Sequence, residues 1–193
     1  MRKTLTLLAL VLLCGCMTAR EAHTAEQGIK VAEKAGKYIG QTMPSQPINY
    51  SFSGNKSGPA NLYPDPTLTP GDVLAADTAT ICQKGYSTAV RDVPISEKRQ
   101  VYQEYGIKYP QPEGSYECDH FISLELGGSN DIKNLWPEPA EPKPGYHEKD
   151  LVENYLHKEV CNGHMSLQDA QNAIKTDWYK VYLSMKGLSL QTT

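Results

Sequence analysis

The sequence predicts an α+β fold in which two short strands joined by a Gly-Gly turn are followed by packed helices. Three observations predict it: strand-forming residues at 115–121, the Gly-Gly-Ser-Asn turn at 127–130, and apolar residues at helical spacing over 146–160. With 193 residues, 39% of them hydrophobic, the chain can bury one modest core. We therefore expect one globular domain with appendages.

The first predicted element is a helix that begins after Pro94 and stops at Gly106, with Val101, Tyr102 and Tyr105 on one face. A strand over 115–121 follows, and the apolar pattern continues through 124–126. After the turn at 127–130, a second strand is predicted over 134–137.

Two helices complete the predicted domain. The first covers 146–160 and has an apolar stripe formed by Leu151, Val152, Tyr155, Leu156 and Val160. The second begins after Ser166, which together with Asp169 resembles a capping box, and we expect it to pack on the small sheet.

The N-terminus is typical of a targeting segment. Arg2 and Lys3 precede an apolar run at 5–13 that is too short to span a bilayer, and residues 13–16 resemble a lipobox in which Cys16 carries a lipid. The alternative is an ordinary secretory leader, and both predict export from the cytoplasm. With Met17 after Cys16, we expect a lipid-anchored protein of the cell envelope, at the outer membrane.

The predicted domain organisation has four parts. They are a lipoprotein signal peptide and lipobox at 1–16, a proline-rich flexible tether with one short helix at 17–71, the folded domain at 72–185, and a tail at 186–193.

Three cysteines remain once Cys14 and Cys16 are assigned to the leader. Cys82 and Cys161 lie in turn-like contexts on either side of the strand pair, whereas Cys118 lies within the first strand. In an oxidising compartment we expect a disulfide between Cys82 and Cys161. The alternative is three buried thiols.

Asp119 and His120 lie side by side before the Gly-Gly turn. A hard cation prefers a carboxylate oxygen, and a neutral imidazole can take a proton from water near neutral pH. The formal charge of −3 argues against tight non-specific DNA binding, although a basic patch or a bound cation can reverse the sign locally. The pair therefore predicts half of a one-metal hydrolytic site.

Residues 119–139 also resemble a known family, because they fit the pattern DHxIxLELGGSNDxxNLWPEP of secreted bacterial HNH endonucleases, and further blocks extend the resemblance over about residues 66–178. The resemblance implies a ββα-metal finger and metal-dependent hydrolysis of phosphodiester bonds in nucleic acid, with DNA favoured. It also implies that Asp119 is a metal ligand, His120 the general base, and Asn134 the asparagine that braces the finger.

The second metal ligand is left open on the helix that starts near Tyr146. We rank His147 and Asp150 equally and Glu153 after them, while Asn154 and His157 are weaker candidates. Oxygen ligands favour Mg²⁺ or Mn²⁺, and a His147 ligand would also admit Zn²⁺ or Ni²⁺.

Arg91 and Lys149 are candidates for contacting phosphate, with a solvated surface charge as the alternative for each. The expected partners are a nucleic acid substrate and, through the lipid on Cys16, a membrane. No protein partner is inferable from the sequence. A second functional hypothesis is a catalytically silent HNH-like lipoprotein that binds an envelope or surface partner.

Overall fold

The computed structural model describes residues 56–188. This part of the chain is mixed α+β, as the sequence predicts, with two antiparallel strands and five α-helices. In chain order the elements are α1 (Thr78–Ile81), α2 (Tyr86–Val90), α3 (Ile95–Glu104), β1 (Tyr116–His120), β2 (Leu135–Pro139), α4 (Tyr146–Cys161) and α5 (Leu167–Met185).

The strands β1 and β2 pair so that Asp119 lies opposite Trp136 and His120 lies opposite Leu135. The loop between them holds two short 3-10 turns, at Leu124–Leu126 and Ile132–Asn134. The apolar residues of the first turn, Leu124 and Leu126, are buried. The Ser123 side chain accepts a hydrogen bond from the backbone of Glu125 and starts this turn.

Gly128 is required by the close packing of this loop. A Cβ atom at this position would lie 1.8 Å from the carbonyl oxygen of Ile122, so no other residue fits without moving the backbone. The Gly-Gly turn therefore holds the loop against the residues that directly follow His120.

Helices α4 and α5 pack against each other and against the loop, and this packing forms the main core. Ile174, Trp178 and Val181 of α5 are completely buried. The predicted cap of α5 is confirmed, because Ser166 Oγ accepts a hydrogen bond from the Asp169 backbone at 3.0 Å and donates one to its carboxylate at 2.6 Å.

The packed domain starts earlier than the predicted boundary at residue 72. Leu62 and Tyr63 are buried against α5, where Trp178 Nε1 donates a hydrogen bond to the Leu62 carbonyl at 2.8 Å. Tyr63 donates its hydroxyl to the Asp177 carboxylate at 2.7 Å. These apolar residues lie between prolines, so the local sequence resembles a tether even though α5 binds the segment. The predicted signal peptide, Cys16 and residues 17–55 of the predicted tether lie outside the described residues.

The predicted disulfide between Cys82 and Cys161 is confirmed, with the two Cα atoms 5.6 Å apart. It joins the end of α1 to the end of α4 and closes a long loop, which is worth ~4 kcal/mol in the chain-entropy model. Cys118 is a half-buried free thiol, and burial raises its pKa to about 11, so it stays protonated at neutral pH. Between residues 56 and 188, no helix has both the length and the apolar composition needed to cross a membrane.

Candidate active site

Asp119 and His120 are buried where β1 ends, with 7% and 2% of their surface exposed. Their side chains contact different neighbours. Asp119 bonds to Lys149 on α4, whereas His120 bonds to Asn130 in the loop between the strands. The sequence thus brings a carboxylate and an imidazole to one place, and the fold gives each of them a separate partner.

The imidazole of His120 is held in one orientation by Asn130. Asn130 donates its amide to the Val90 carbonyl at 2.7 Å, which leaves its Oδ1 atom to accept from His120 Nε2 at 3.0 Å. In this arrangement Nε2 carries the proton and Nδ1 has a free lone pair, for which the described residues offer no hydrogen-bond partner. Burial lowers the pKa of His120, so the ring is neutral at neutral pH.

Asn134 braces the same loop from inside. Its Oδ1 accepts from the Ile122 backbone at 2.9 Å, and its Nδ2 donates to the carbonyls of Ile122 and Ser129, each at 2.9 Å. The side chain has no exposed surface. Asn134 therefore occupies a bracing position and holds the loop that follows His120. It is a positioning residue.

Lys149 is completely buried in the middle of the acidic residues. Its ammonium donates hydrogen bonds to the carboxylates of Asp119 and Glu153, each at 2.5 Å, and to the carbonyl oxygen of His120 at 3.0 Å. A carboxylate oxygen of Glu138 lies 3.3 Å from the same nitrogen. The prediction that Lys149 contacts phosphate is wrong, because its ammonium is enclosed by protein oxygens.

The charged groups of this cluster shift one another's pKa values. Burial alone would raise the pKa of Asp119, but the attraction of the Lys149 ammonium lowers it, so Asp119 is ionised. Burial would lower the pKa of Lys149, but the surrounding carboxylates raise it well above its usual range. Burial raises the pKa of Glu153 to about 7 and that of Glu138 well above its usual range.

The candidate metal ligands are only partly brought together. Asp119 and Glu153 meet at the Lys149 ammonium, although Glu153 was the last of the ranked helix candidates. Asp150 is half-buried, and its pKa is raised by burial and then by the negative charge of Asp119. His147 is exposed on the first turn of α4.

Two residues of this site were missed in the sequence. Glu138 was overlooked because it lies between two prolines, yet the register of β2 places it opposite Glu117, two residue pairs from Asp119 and so on the same face of the strand pair. Asn130 was read only as part of the turn. The one local signal for the cluster was the spacing of Lys149 and Glu153, which lie four residues apart and so on one face of a helix.

The cluster in its described form does not fit the divalent cation that the family resemblance implies. Carboxylate and carbonyl oxygens are suitable ligands for Mg²⁺ or Mn²⁺. However, the Lys149 ammonium already lies among these oxygens, and two cations cannot share them without strong repulsion. The oxygen atoms around Asp119 are therefore already occupied by the Lys149 ammonium.

A separate group of ligand atoms lies at the disulfide. One atom each from Cys82, His157 and Cys161 lies within 4.8 Å of the others, so this group could hold a metal ion. Because the two sulfur atoms are bonded to each other, it could do so only after reduction. His157, one of the weaker ligand candidates in the sequence, supplies the imidazole of this group, and in the oxidised chain its Nε2 lies 3.1 Å from the Ile81 carbonyl oxygen.

Arg91 lies at the edge of the site and is exposed. After burial, its positive charge is one of the smaller factors that lower the pKa of His120, and it also favours the ionised form of Glu117. Arg91 is therefore within electrostatic reach of His120 and, unlike Lys149, is accessible to an anion.

Comparisons with protein-family models, with curated proteins and with solved structures give no match to this chain.

Proposed function

We propose that this chain is an HNH-type nuclease that hydrolyses phosphodiester bonds of nucleic acid outside the cytoplasm. DNA is the favoured substrate. The observation that carries the proposal is the neutral His120, whose tautomer is fixed by Asn130 and whose Nδ1 lone pair is free among the described residues. The order of β1, β2 and α4 is that of a ββα finger, which supports the same proposal.

In the proposed reaction, Nδ1 of His120 takes a proton from the water molecule that attacks phosphorus. The bond to Asn130 keeps Nε2 protonated and the ring correctly oriented. The ring is only 2% exposed and its Nδ1 atom is buried, so the proposed reaction requires the surrounding residues to move until a water molecule contacts both Nδ1 and phosphorus, with Arg91 neutralising the phosphate. Asn134 and Gly128 maintain the loop that positions the ring.

The proposed location follows from the N-terminal residues. A lipid on Cys16 would anchor the protein to the envelope, where an oxidising compartment allows the Cys82–Cys161 disulfide to persist. The proposed partners are nucleic acid and the membrane to which the lipid attaches.

A second candidate function is a catalytically silent HNH-like lipoprotein that binds an envelope or surface partner. Two observations favour it: the Lys149 ammonium is bound to Asp119, and His120 is almost completely buried. A scaffold that only binds needs neither a metal at Asp119 nor an accessible base.

A plasmid-nicking assay on the mature chain separates the two functions. It is run with EDTA and with Mg²⁺, Mn²⁺, Zn²⁺ or Ni²⁺, and RNA and single-stranded DNA are tested in parallel. We expect cleavage by the wild type and a loss of at least ~100-fold in His120→Ala, the usual size of a general-base effect. The matched control is His164→Ala, which removes an exposed histidine three residues after Cys161. This variant should cleave like the wild type. Absence of cleavage under every condition would refute the nuclease and leave the scaffold.

A further inference from the structure

We propose that the resident cation of this site is the side-chain ammonium of Lys149, which takes the place of a divalent metal and excludes one from Asp119. The proposal goes beyond the proposed function, which leaves the source of positive charge open. It also applies if the chain proves to be a scaffold without nuclease activity.

The first argument is that the ammonium is fully satisfied. A protonated lysine has three N–H donors, and Lys149 uses them on Asp119, Glu153 and the carbonyl oxygen of His120. These acceptors come from β1 and α4, and Glu138 of β2 adds a fourth oxygen at 3.3 Å. Lys149 thus connects three elements in the way that a bound cation would.

The second argument is burial. None of the Lys149 surface is exposed, so the side chain is not a surface lysine that can swing aside at little cost. Its departure would leave several buried carboxyl groups without a counter-charge, which is strongly unfavourable. A divalent ion entering beside it would meet a tethered positive charge at the same oxygens.

The proposal makes a specific prediction for removal of the amine. Lys149→Ala leaves three carboxyl groups and a carbonyl oxygen around one point, which is a donor set that suits Mn²⁺. The variant should therefore acquire a metal site that the natural chain lacks.

This prediction is tested by measuring the binding of Mn²⁺ alone to the mature chain. Calorimetry gives the affinity, and the EPR signal of the free ion gives an independent measure of binding. We expect Lys149→Ala to bind Mn²⁺ at least ten-fold more tightly than the wild type, and the added substitution Asp119→Asn to remove the gain. The matched control is Lys158→Ala, which deletes an exposed lysine on the same helix and should behave like the wild type. A folded Lys149→Ala chain without any gain in Mn²⁺ affinity would overturn the proposal.

The wild type provides a second test in case Lys149→Ala does not fold. We expect Mn²⁺ binding, if any is measured, to be equal in the wild type and in Asp119→Asn. Binding by the wild type that Asp119→Asn abolishes would mean that the metal displaces the ammonium, and the proposal would be wrong. Neither test uses cleavage, so its outcome is independent of whether the chain proves to be a nuclease.

Discussion

Asp119 and Asp177 are both buried carboxylates, with 7% and 3% of their surface exposed, but they are stabilised in opposite ways. Asp119 is bound to the ammonium of Lys149. Asp177 is bound by neutral donors: the hydroxyl of Tyr63 at 2.7 Å, the hydroxyl of Ser57 at 2.6 Å, and the backbone N–H of Lys180 at 3.1 Å.

The difference separates a structural carboxylate from a candidate functional one. Asp177 has non-helical dihedral angles (φ −160°, ψ 69°) within α5. Through Ser57 and Tyr63 it holds the segment that precedes α1 against α5. Burial raises the pKa of Tyr63, so its hydroxyl remains a donor at every physiological pH. Around Asp119, in contrast, several coupled charges shift each other's pKa values, which is the pattern found where chemistry is carried out.

The largest expected effect is that of removing the buried amine. In metal-free buffer, Lys149→Ala should lower the free energy of unfolding by about 3–5 kcal/mol, because it leaves buried carboxylates unpaired. Urea denaturation followed by circular dichroism measures this change. Lys158→Ala should change stability by less than ~0.5 kcal/mol, as exposed positions do. A comparable effect of the two variants would show that the Asp119 cluster does not depend on Lys149.

The Asp177 network should be less sensitive, because its donors are neutral. Asp177→Asn should lower the free energy of unfolding by about 1–3 kcal/mol, since at least one buried donor loses its acceptor. Tyr63→Phe, which deletes only one of the hydrogen bonds, should cost about 0.5–1.5 kcal/mol. If Asp177→Asn proved more costly than Lys149→Ala, the distinction between the two carboxylates would not hold. The same denaturation series provides the measurement.

The smallest expected effect is on the pH dependence of stability. The pKa of His120 is lowered in the folded chain, so its contribution to stability is complete above its unfolded value of 6.5 and is lost as the pH falls through the folded value. The stability advantage of the wild type over His120→Gln should therefore shrink between pH 7.5 and pH 5.

Besides burial, the groups that shift the pKa of His120 are Asn130, Asp119, Arg91 and Lys149. The stability advantage of the wild type over Tyr63→Phe should stay constant between pH 7.5 and pH 5, because Tyr63 does not titrate in this range. Thermal unfolding of the three proteins at each pH measures both differences. An advantage over His120→Gln that grew toward pH 5 would mean that the folded chain favours the protonated ring.

The local sequence determined the order and the limits of the main elements. The predicted helix over 146–160 is found at Tyr146–Cys161, and the Ser166 cap lies where its spacing with Asp169 placed it. These features depend on apolar periodicity, capping and turn residues, which act over a few positions. The disulfide was also predicted, because two cysteines in turn-like contexts lay on either side of the strand pair.

Only the tertiary structure decided the roles of Lys149, Asn130 and Glu138. A lysine among charged residues at the start of a helix looks like a solvated charge, since nothing in its neighbours indicates burial. Its environment arises from β1 and β2, which are distant in sequence and meet α4 only in the folded chain. Asp119 and His120 could be recognised from the sequence because their residue types carry the chemistry. What balances the charge of Asp119 depends on three-dimensional packing, because electrostatic partners are selected by distance in space.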